Sequence, residues 1–160
     1  MVNAMPIYHV TVNGENKRIE SADPEQPLLY ILRNDLSLTG AKYGCGLGQC
    51  GTCSILVDNE VMRSCQLTIS QANGKKITTI EGLLRDGKLH PVQTAFVEEQ
   101  AAQCGYCTNG MVMTAVSLLA HQANPKLSDV KEALANNLCR CGTHDRIIRA
   151  VMSARGKVMP

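Results

Sequence analysis

Aromatic residues are scarce in this 160-residue sequence, which has one Phe, four Tyr and no Trp. Aliphatic side chains and Met must therefore fill its core. Charge is also sparse and balanced, with 19% charged residues, a net charge of +2 and no basic run longer than Lys75-Lys76. Nucleic-acid-binding domains carry clustered basic residues. The composition therefore excludes a nucleic acid as partner.

Long hydrophobic runs are missing as well. The longest candidate, residues 111–120, is about half of the roughly 20 apolar residues that a membrane span needs. The first residues lack the basic and long apolar regions of a secretory signal peptide. We therefore expect no membrane span and a cytoplasmic location, with membrane association only through a partner.

Cysteine is what the sequence has in quantity, with eight residues in two sets of four. The first set is Cys45-x4-Cys50-x2-Cys53, completed by Cys65, which is the plant-type spacing for a [2Fe–2S] cluster. The second set is Cys104-x2-Cys107 followed by Cys139-x-Cys141. Two complete sets of four thiolates indicate two one-electron stations. The sequence predicts an electron carrier.

Disulfides and zinc are the two other uses that these cysteines could have. Disulfide frameworks are typical of small secreted domains that lack a sufficient core, whereas this chain is 44% hydrophobic. Zinc is the stronger alternative because its sites also use Cys-x2-Cys pairs. The x4-then-x2 spacing and the Cys-x-Cys pair do not match the usual two knuckles of a zinc site. Iron–sulfur clusters fit the spacing better.

Glycines surround the first set of cysteines. A loop wrapped around an inorganic cluster must turn sharply, often through positive φ, which glycine adopts without a Cβ clash. The exposed amides of such a loop can point at the cluster sulfides and spread their negative charge. The residues that fit this role are Gly44, Gly46, Gly48 and Gly51.

The first half of the chain is predicted to be mainly strand. Asn13-Gly14 is a strong hairpin signal between two short strands. A second hairpin is expected around Asp58-Asn59-Glu60, and its second strand would end next to Cys65. A small sheet with one helix packed across it suggests a β-grasp arrangement. The predicted strands are 7–12, 17–20, 54–57, 61–64 and 76–80, and the predicted helix is 27–32.

The pattern changes after Gly82, so we place a boundary near residues 82–90. Four helices are predicted beyond it, which would form a four-helix unit. The cysteine pairs fall at helix junctions, where helix N-termini can offset thiolate charge. The helices are expected over 91–103, 111–122, from a cap at Ser128-Asp129 to 137, and from a cap at Thr143 or Asp145 through Ile147, Ile148, Val151 and Met152.

Three segments resemble the small iron–sulfur subunit of the molybdenum hydroxylases, the family of xanthine oxidase and the bacterial aldehyde, isoquinoline and nicotinate oxidoreductases. They are residues 44–53 (GCGLGQCGTC), 103–108 (QCGYCT) and 137–143 (NLCRCGT). The resemblance covers nearly the whole chain. It implies an α+β fold, with a plant-ferredoxin-like β-grasp domain over 1–82 and a C-terminal four-helix bundle over 83–160.

The same resemblance implies the cofactors and partners. The first [2Fe–2S] cluster would lie in the ferredoxin-like domain and the second in the bundle. A separate large molybdopterin-binding subunit would oxidise the substrate with water as the oxygen source. Electrons would pass from it through the second and then the first cluster to a flavin, cytochrome or other acceptor. The ligands would be Cys45, Cys50, Cys53 and Cys65 for the first cluster and Cys104, Cys107, Cys139 and Cys141 for the second.

The resemblance also implies contacts with the pterin, from Gln103 by a hydrogen bond and from Cys141 by proximity. No catalytic residue is expected, because no Cys–His dyad lies outside the ligand sets and no paired carboxylates lie in a glycine-framed pocket. Two positions depart from the common family pattern: Asn109 stands where many members have Pro, and His144 where many have Tyr. We interpret His144 as a surface or packing residue at a helix start.

Two rival functions belong to other classes. A free-standing two-cluster ferredoxin-type carrier would be mobile and would need no large partner, but a ferredoxin does not require the helical half or the cluster in it. A zinc-stapled interaction module would be colourless.

Overall fold

The first half of the protein is a five-stranded mixed sheet in the order β2-β1-β5-β3-β4. The computed structural model describes residues 5–158. β1 pairs antiparallel with β2 and parallel with β5, and β3 pairs antiparallel with β4 and β5. The strands are β1 Ile7–Val12, β2 Glu15–Glu20, β3 Ser54–Val57, β4 Glu60–Arg63 and β5 Lys76–Thr78.

Both hairpins form at the predicted places. Asn13 and Gly14 turn with φ of 51° and 85°, as a two-residue hairpin with the twist of the flanking strands requires. Asp58 and Asn59 do the same at 50° and 73°. Glu60, predicted as part of that turn, instead begins β4 and pairs with Val57. A two-residue turn needs only two left-handed residues, so the third joins the ladder.

Short helical segments connect these strands. The predicted helix over 27–32 is α1 Leu28–Tyr30, which continues as a π-helix over Ile31–Asp35. Two further turns were not predicted: α2 Ile69–Ala72 and a 3-10 turn at Ile80–Leu83. The side chain of Thr68 caps α2 and accepts the N–H of Gln71. The strand predicted to reach residue 80 ends at Thr78, because the 3-10 turn begins at Ile80.

The second half contains four helices, as predicted, with different bounds. They are α3 Pro91–Glu98, α4 Thr108–His121, α5 Leu127–Leu134 and α6 His144–Ser153. The Asp129 side chain accepts the N–H of Lys126 at 2.8 Å, so it acts inside the first turn of α5 and is not the cap itself. The α+β prediction is confirmed.

Helix α3 ends at Glu98, before the predicted Gln103. Gln100 adopts φ of 49°, Ala101 N–H donates to Phe96 C=O at 2.9 Å, and Gln100 N–H donates to Val97 C=O at 3.1 Å. These two bonds form a Schellman motif, which closes a helix with a left-handed residue. The segment carrying Cys104 is therefore an irregular connection and not a helix end.

Two apolar clusters form the core. One lies between the sheet and α1 and includes Val12, Leu28, Ile55 and Ile77. The other is centred on α4 and includes Met111, Met113 and Ile147, with Leu56 of β3. Helix α4 thus packs against both the sheet and the other helices. No helix within residues 5–158 is long and apolar enough to cross a membrane.

Candidate iron–sulfur centres

The loop between α1 and β3 gathers backbone amides around Cys45. Its Sγ accepts N–H bonds from Leu47 at 3.3 Å, Gln49 at 3.2 Å and Cys50 at 3.3 Å. Burial acts to raise the pKa of Cys45, but these amides outweigh it and lower the pKa to about 7. The loop therefore stabilises a thiolate at this position, as a metal ligand requires.

The four sulfur atoms of the first set are arranged as two pairs. Cys50 Sγ accepts the N–H of Cys45 at 3.4 Å, and the two thiols lie within hydrogen-bonding reach. Cys53 and Cys65 form the second pair, both buried. Burial raises the pKa of Cys53 to about 11. Gln66 Nε2 donates to Gly46 C=O at 2.6 Å, so the segment after β4 brings Cys65 to the loop.

The glycine prediction can be tested at two positions of this loop. A Cβ added to Gly44 would lie 2.7 Å from Cys50 Sγ, inside van der Waals contact. Gly48 adopts φ of 72°. The missing Cβ of Gly44 leaves room for Cys50 Sγ, and Gly48 provides a sharp turn. A loop that wraps around a cluster needs both features.

The second set lies at the helix junctions. Cys107 is the N-cap residue of α4, while Cys139 and Cys141 precede α6. Cys141 and Cys104 have their sulfurs 3.4 Å apart, and Cys107 is within hydrogen-bonding reach of Cys139. The second set, like the first, is two pairs.

The thiols of this set differ in acidity. Burial raises the pKa of Cys107 to about 12. Burial also acts to raise the pKa of Cys139, but the Thr143 hydroxyl and amide outweigh it and lower that pKa to about 7. Thr143 is the N-cap residue of α6, as predicted, but its hydroxyl lies 3.3 Å from Cys139 Sγ and makes no capping hydrogen bond to the helix.

These arrangements fit [2Fe–2S] clusters. Within residues 5–158, no three His, Cys, Asp or Glu side chains converge closely enough to hold a single metal ion. A two-iron cluster with four Cys ligands instead needs two thiolates at each iron. Two pairs of sulfurs in each set meet that need.

Direct hydrogen bonds join the two ligand loops. Leu138 N–H donates to Cys50 C=O at 2.9 Å. The Thr52 hydroxyl donates to Tyr106 C=O at 2.6 Å, and the Tyr106 hydroxyl donates to Tyr43 C=O. Each bond links a residue of the first loop to one of the second set's loops. The two centres are therefore parts of one connected structure.

Sequence reasoning missed the residues that make these bridges. Thr52, Tyr106 and Leu138 lie inside the cysteine motifs, but their partners are more than 50 residues away. Their position beside the ligands in the sequence was the only signal of this bridging role.

Gln103, predicted to contact the pterin, is exposed, and so is His144, predicted to be a surface or packing residue.

Comparisons with known proteins agree with this geometry. Residues 10–79 match the family model of the 2Fe-2S iron-sulfur cluster binding domain, and residues 79–152 match that of the [2Fe-2S] binding domain. The chain is 54% identical to a nicotinate dehydrogenase subunit of Pseudomonas putida, over 89% of this chain and 90% of that protein.

Two solved structures share the fold. Quinoline 2-oxidoreductase from Pseudomonas putida 86 matches with a TM-score of 0.89 and 39% identity, covering 97% of this chain and 96% of that chain. Aldehyde oxidoreductase from Desulfovibrio gigas matches with a TM-score of 0.88 and 40% identity, over 94% of this chain but 17% of that one. In the second protein, the matching part is a segment of a much longer chain.

Proposed function

The chain belongs to the small [2Fe–2S] subunits of the molybdenum hydroxylases, and from that premise we propose how its residues divide the work of electron transfer. Bound clusters supply two one-electron carriers between a molybdopterin site on a large partner subunit and an acceptor. We assign the first cluster to Cys45, Cys50, Cys53 and Cys65, and the second to Cys104, Cys107, Cys139 and Cys141.

The single observation that carries the proposal is the bond from Leu138 N–H to Cys50 C=O. Cys50 is a ligand of the first set, and Leu138 directly precedes Cys139 of the second. One hydrogen bond, with only a few covalent bonds on either side of it, therefore connects the two ligand sets. The bond from Thr52 to Tyr106 supports a parallel route, because each residue lies between two ligands.

The side that faces the pterin is proposed to be the surface of the second set. Cys104 and Gln103 are exposed, and Cys141 is half-buried beside Cys104. A partner can therefore reach them without unfolding this chain. We propose that Gln103 donates a hydrogen bond to the pterin and that Cys141 lies against it.

The other side of the circuit leads to an acceptor, which we propose to be a flavin or cytochrome. The first loop supports this because Leu47 and Tyr43 beside Cys45 are exposed at 67% and 49%.

The parts 1–82 and 83–160 are proposed as the two functional domains. The names of the nicotinate and quinoline enzymes support an N-heterocycle as the substrate of the large subunit.

We also place the complex in the cytoplasm, where thiols stay reduced. This location is supported by the assignment of all eight cysteines as cluster ligands, which leaves none for disulfides.

The proposed order of the circuit is tested with Cys50→Ser and Gln103→Ala in the complete complex. Cys50→Ser should perturb only the first-set signal, while substrate still reduces the second set and transfer to the acceptor collapses. Gln103→Ala removes no ligand, so both clusters should assemble. It should weaken pterin retention or slow the first electron transfer by a factor that corresponds to about 1–2 kcal/mol. Electron paramagnetic resonance and stopped-flow kinetics measure both effects.

Gln49→Ala is the matched control for Cys50→Ser, because the Gln49 backbone N–H that contacts Cys45 stays in place. It should behave as the wild type. Loss of the first-set signal in Gln103→Ala, with the second set spared, would show that the order is reversed.

A further inference from the structure

Asn109 lies in the first turn of α4 and is 2% exposed. Its side-chain amide donates hydrogen bonds only to residues outside its own helix. Its Nδ2 donates to Thr52 C=O at 2.9 Å and to Ser54 C=O at 3.0 Å. The helix that carries it begins at Thr108, directly after its N-cap residue Cys107. A single side-chain amide thus reaches from the second set to the strand of the first.

The two accepting carbonyls flank Cys53. Thr52 precedes this ligand and Ser54 follows it, and the Cys53 side chain is 2% exposed. The amide therefore holds the backbone on both sides of one ligand of the first cluster. A Cβ on Gly110, the next residue of α4, would overlap Gly51 C=O, so helix and loop meet at backbone contact.

The carbonyl oxygen of the Asn109 side chain indicates that this residue does more than fill space in the core. Asn109 Oδ1 is buried and has no hydrogen-bond partner among residues 5–158. A buried polar atom without a partner lowers stability, so the two bonds of Nδ2 are what the side chain contributes. Proline, the common family residue at this position, has no side-chain donor and forms neither bond.

We propose that Asn109 is a positioning residue for electron transfer between the two centres. It holds Cys53 at a fixed distance and orientation from the helix start at Cys107, and so sets the spacing of the two clusters. This inference rests on the ligand assignment proposed above.

The test uses Asn109→Ala and Asn109→Pro in the complete cluster-loaded protein. Ala removes the amide donor without adding a charge, and Pro is tolerated in the first turn of a helix. Both variants should retain the iron content of the wild type. Their first-set g values and the magnetic splitting between the reduced clusters should shift, while the second-set g values stay unchanged.

Ser117→Ala is the matched control, because Ser117 is a buried residue of the same helix whose hydroxyl lies 3.5 Å from Asn59 C=O, away from both ligand sets. It should leave the spectra unchanged. Wild-type spectra in both Asn109 variants, an equal shift in Ser117→Ala, or loss of first-set iron in Asn109→Pro would each overturn the positioning role. A wild-type protein without two paramagnetic signals would instead overturn the ligand assignment.

Discussion

Arg63, at the end of β4, places a positive charge between the two centres. One guanidinium nitrogen donates to Ser54 Oγ, next to Cys53, and the other donates to Asn136 C=O at 3.1 Å, close to Cys139. Burial raises the pKa of Cys53 to about 11, and the charge of Arg63 opposes that rise. Arg63 therefore favours negative charge at the first set.

We expect Arg63→Gln to lower the reduction potential of the first cluster. Reduction adds a negative charge, and a cation nearby stabilises the reduced form. For a partly exposed charge the interaction is about 1 kcal/mol, which equals ~40 mV for one electron. A potentiometric titration followed by electron paramagnetic resonance measures this shift.

Arg18→Gln is the control for this change, because Arg18 lies on β2 at the opposite edge of the sheet. Its first-cluster potential should equal the wild-type value. An unchanged or higher potential in Arg63→Gln would contradict the electrostatic role of Arg63.

Helix α4 is the element that joins the two halves. Residues Asn109 to Ser117 are all buried. The helix is covered by the sheet on one side and by α3 and α5 on others. A helix in this position has no solvent face over its first turns, so its polar residues Asn109 and Thr114 need internal partners.

The end of α4 carries a pH-dependent contact with the sheet. His121 Nδ1 lies 2.8 Å from Ser117 C=O, and Nε2 lies 2.8 Å from Glu60 Oε1 on β4. The Ser117 carbonyl, and then Glu60, raise the pKa of His121 above its ordinary value of 6.5. A group with a raised folded-state pKa stabilises the protein below its unfolded-state pKa and loses that effect as pH rises through the folded-state value.

His121→Gln should therefore lower the Tm relative to wild type at about pH 6, and the difference should disappear well above the raised pKa. Calorimetry across this pH range measures it. His9→Gln, which changes an exposed histidine on β1, is the control for the substitution itself. A constant Tm difference at every pH would mean that the imidazolium charge plays no part.

The two ligand sets lie where the two halves of the protein meet, and the apolar cluster centred on α4 crosses this boundary through Leu56 of β3. This boundary is closed by hydrogen bonds from Leu138, Thr52 and Asn109. Such bonds require a narrow range of distances and angles, so they add a fixed geometry to the apolar contacts between the halves. The architecture therefore holds the two clusters in one arrangement.

The purified protein should be red-brown and contain about four irons and four acid-labile sulfides per chain, since two [2Fe–2S] clusters hold that number of each. Its reduced form should show two distinguishable paramagnetic signals. Metal analysis and visible absorption measure the content, and a protein unfolded in the presence of chelator is the colourless control. Stoichiometric zinc with no visible absorption would contradict both cluster assignments.

The spacing of the eight cysteines predicted two four-thiolate sets, because the x4, x2 and x spacings are short-range features of the sequence. Asn13-Gly14 located one hairpin for the same reason. The bounds of α3 were missed because Gln100, which is not a usual helix terminator, adopts the left-handed conformation at its end.

The arrangement of the two centres was decided only by the tertiary structure. The bonds from Leu138 to Cys50 and from Asn109 to Thr52 join residues more than 50 positions apart. No local pattern distinguishes a buried Asn with distant partners from an ordinary polar residue in the first turn of a helix. Those partners exist because α4 packs across the sheet, and that packing depends on the folding of both halves together.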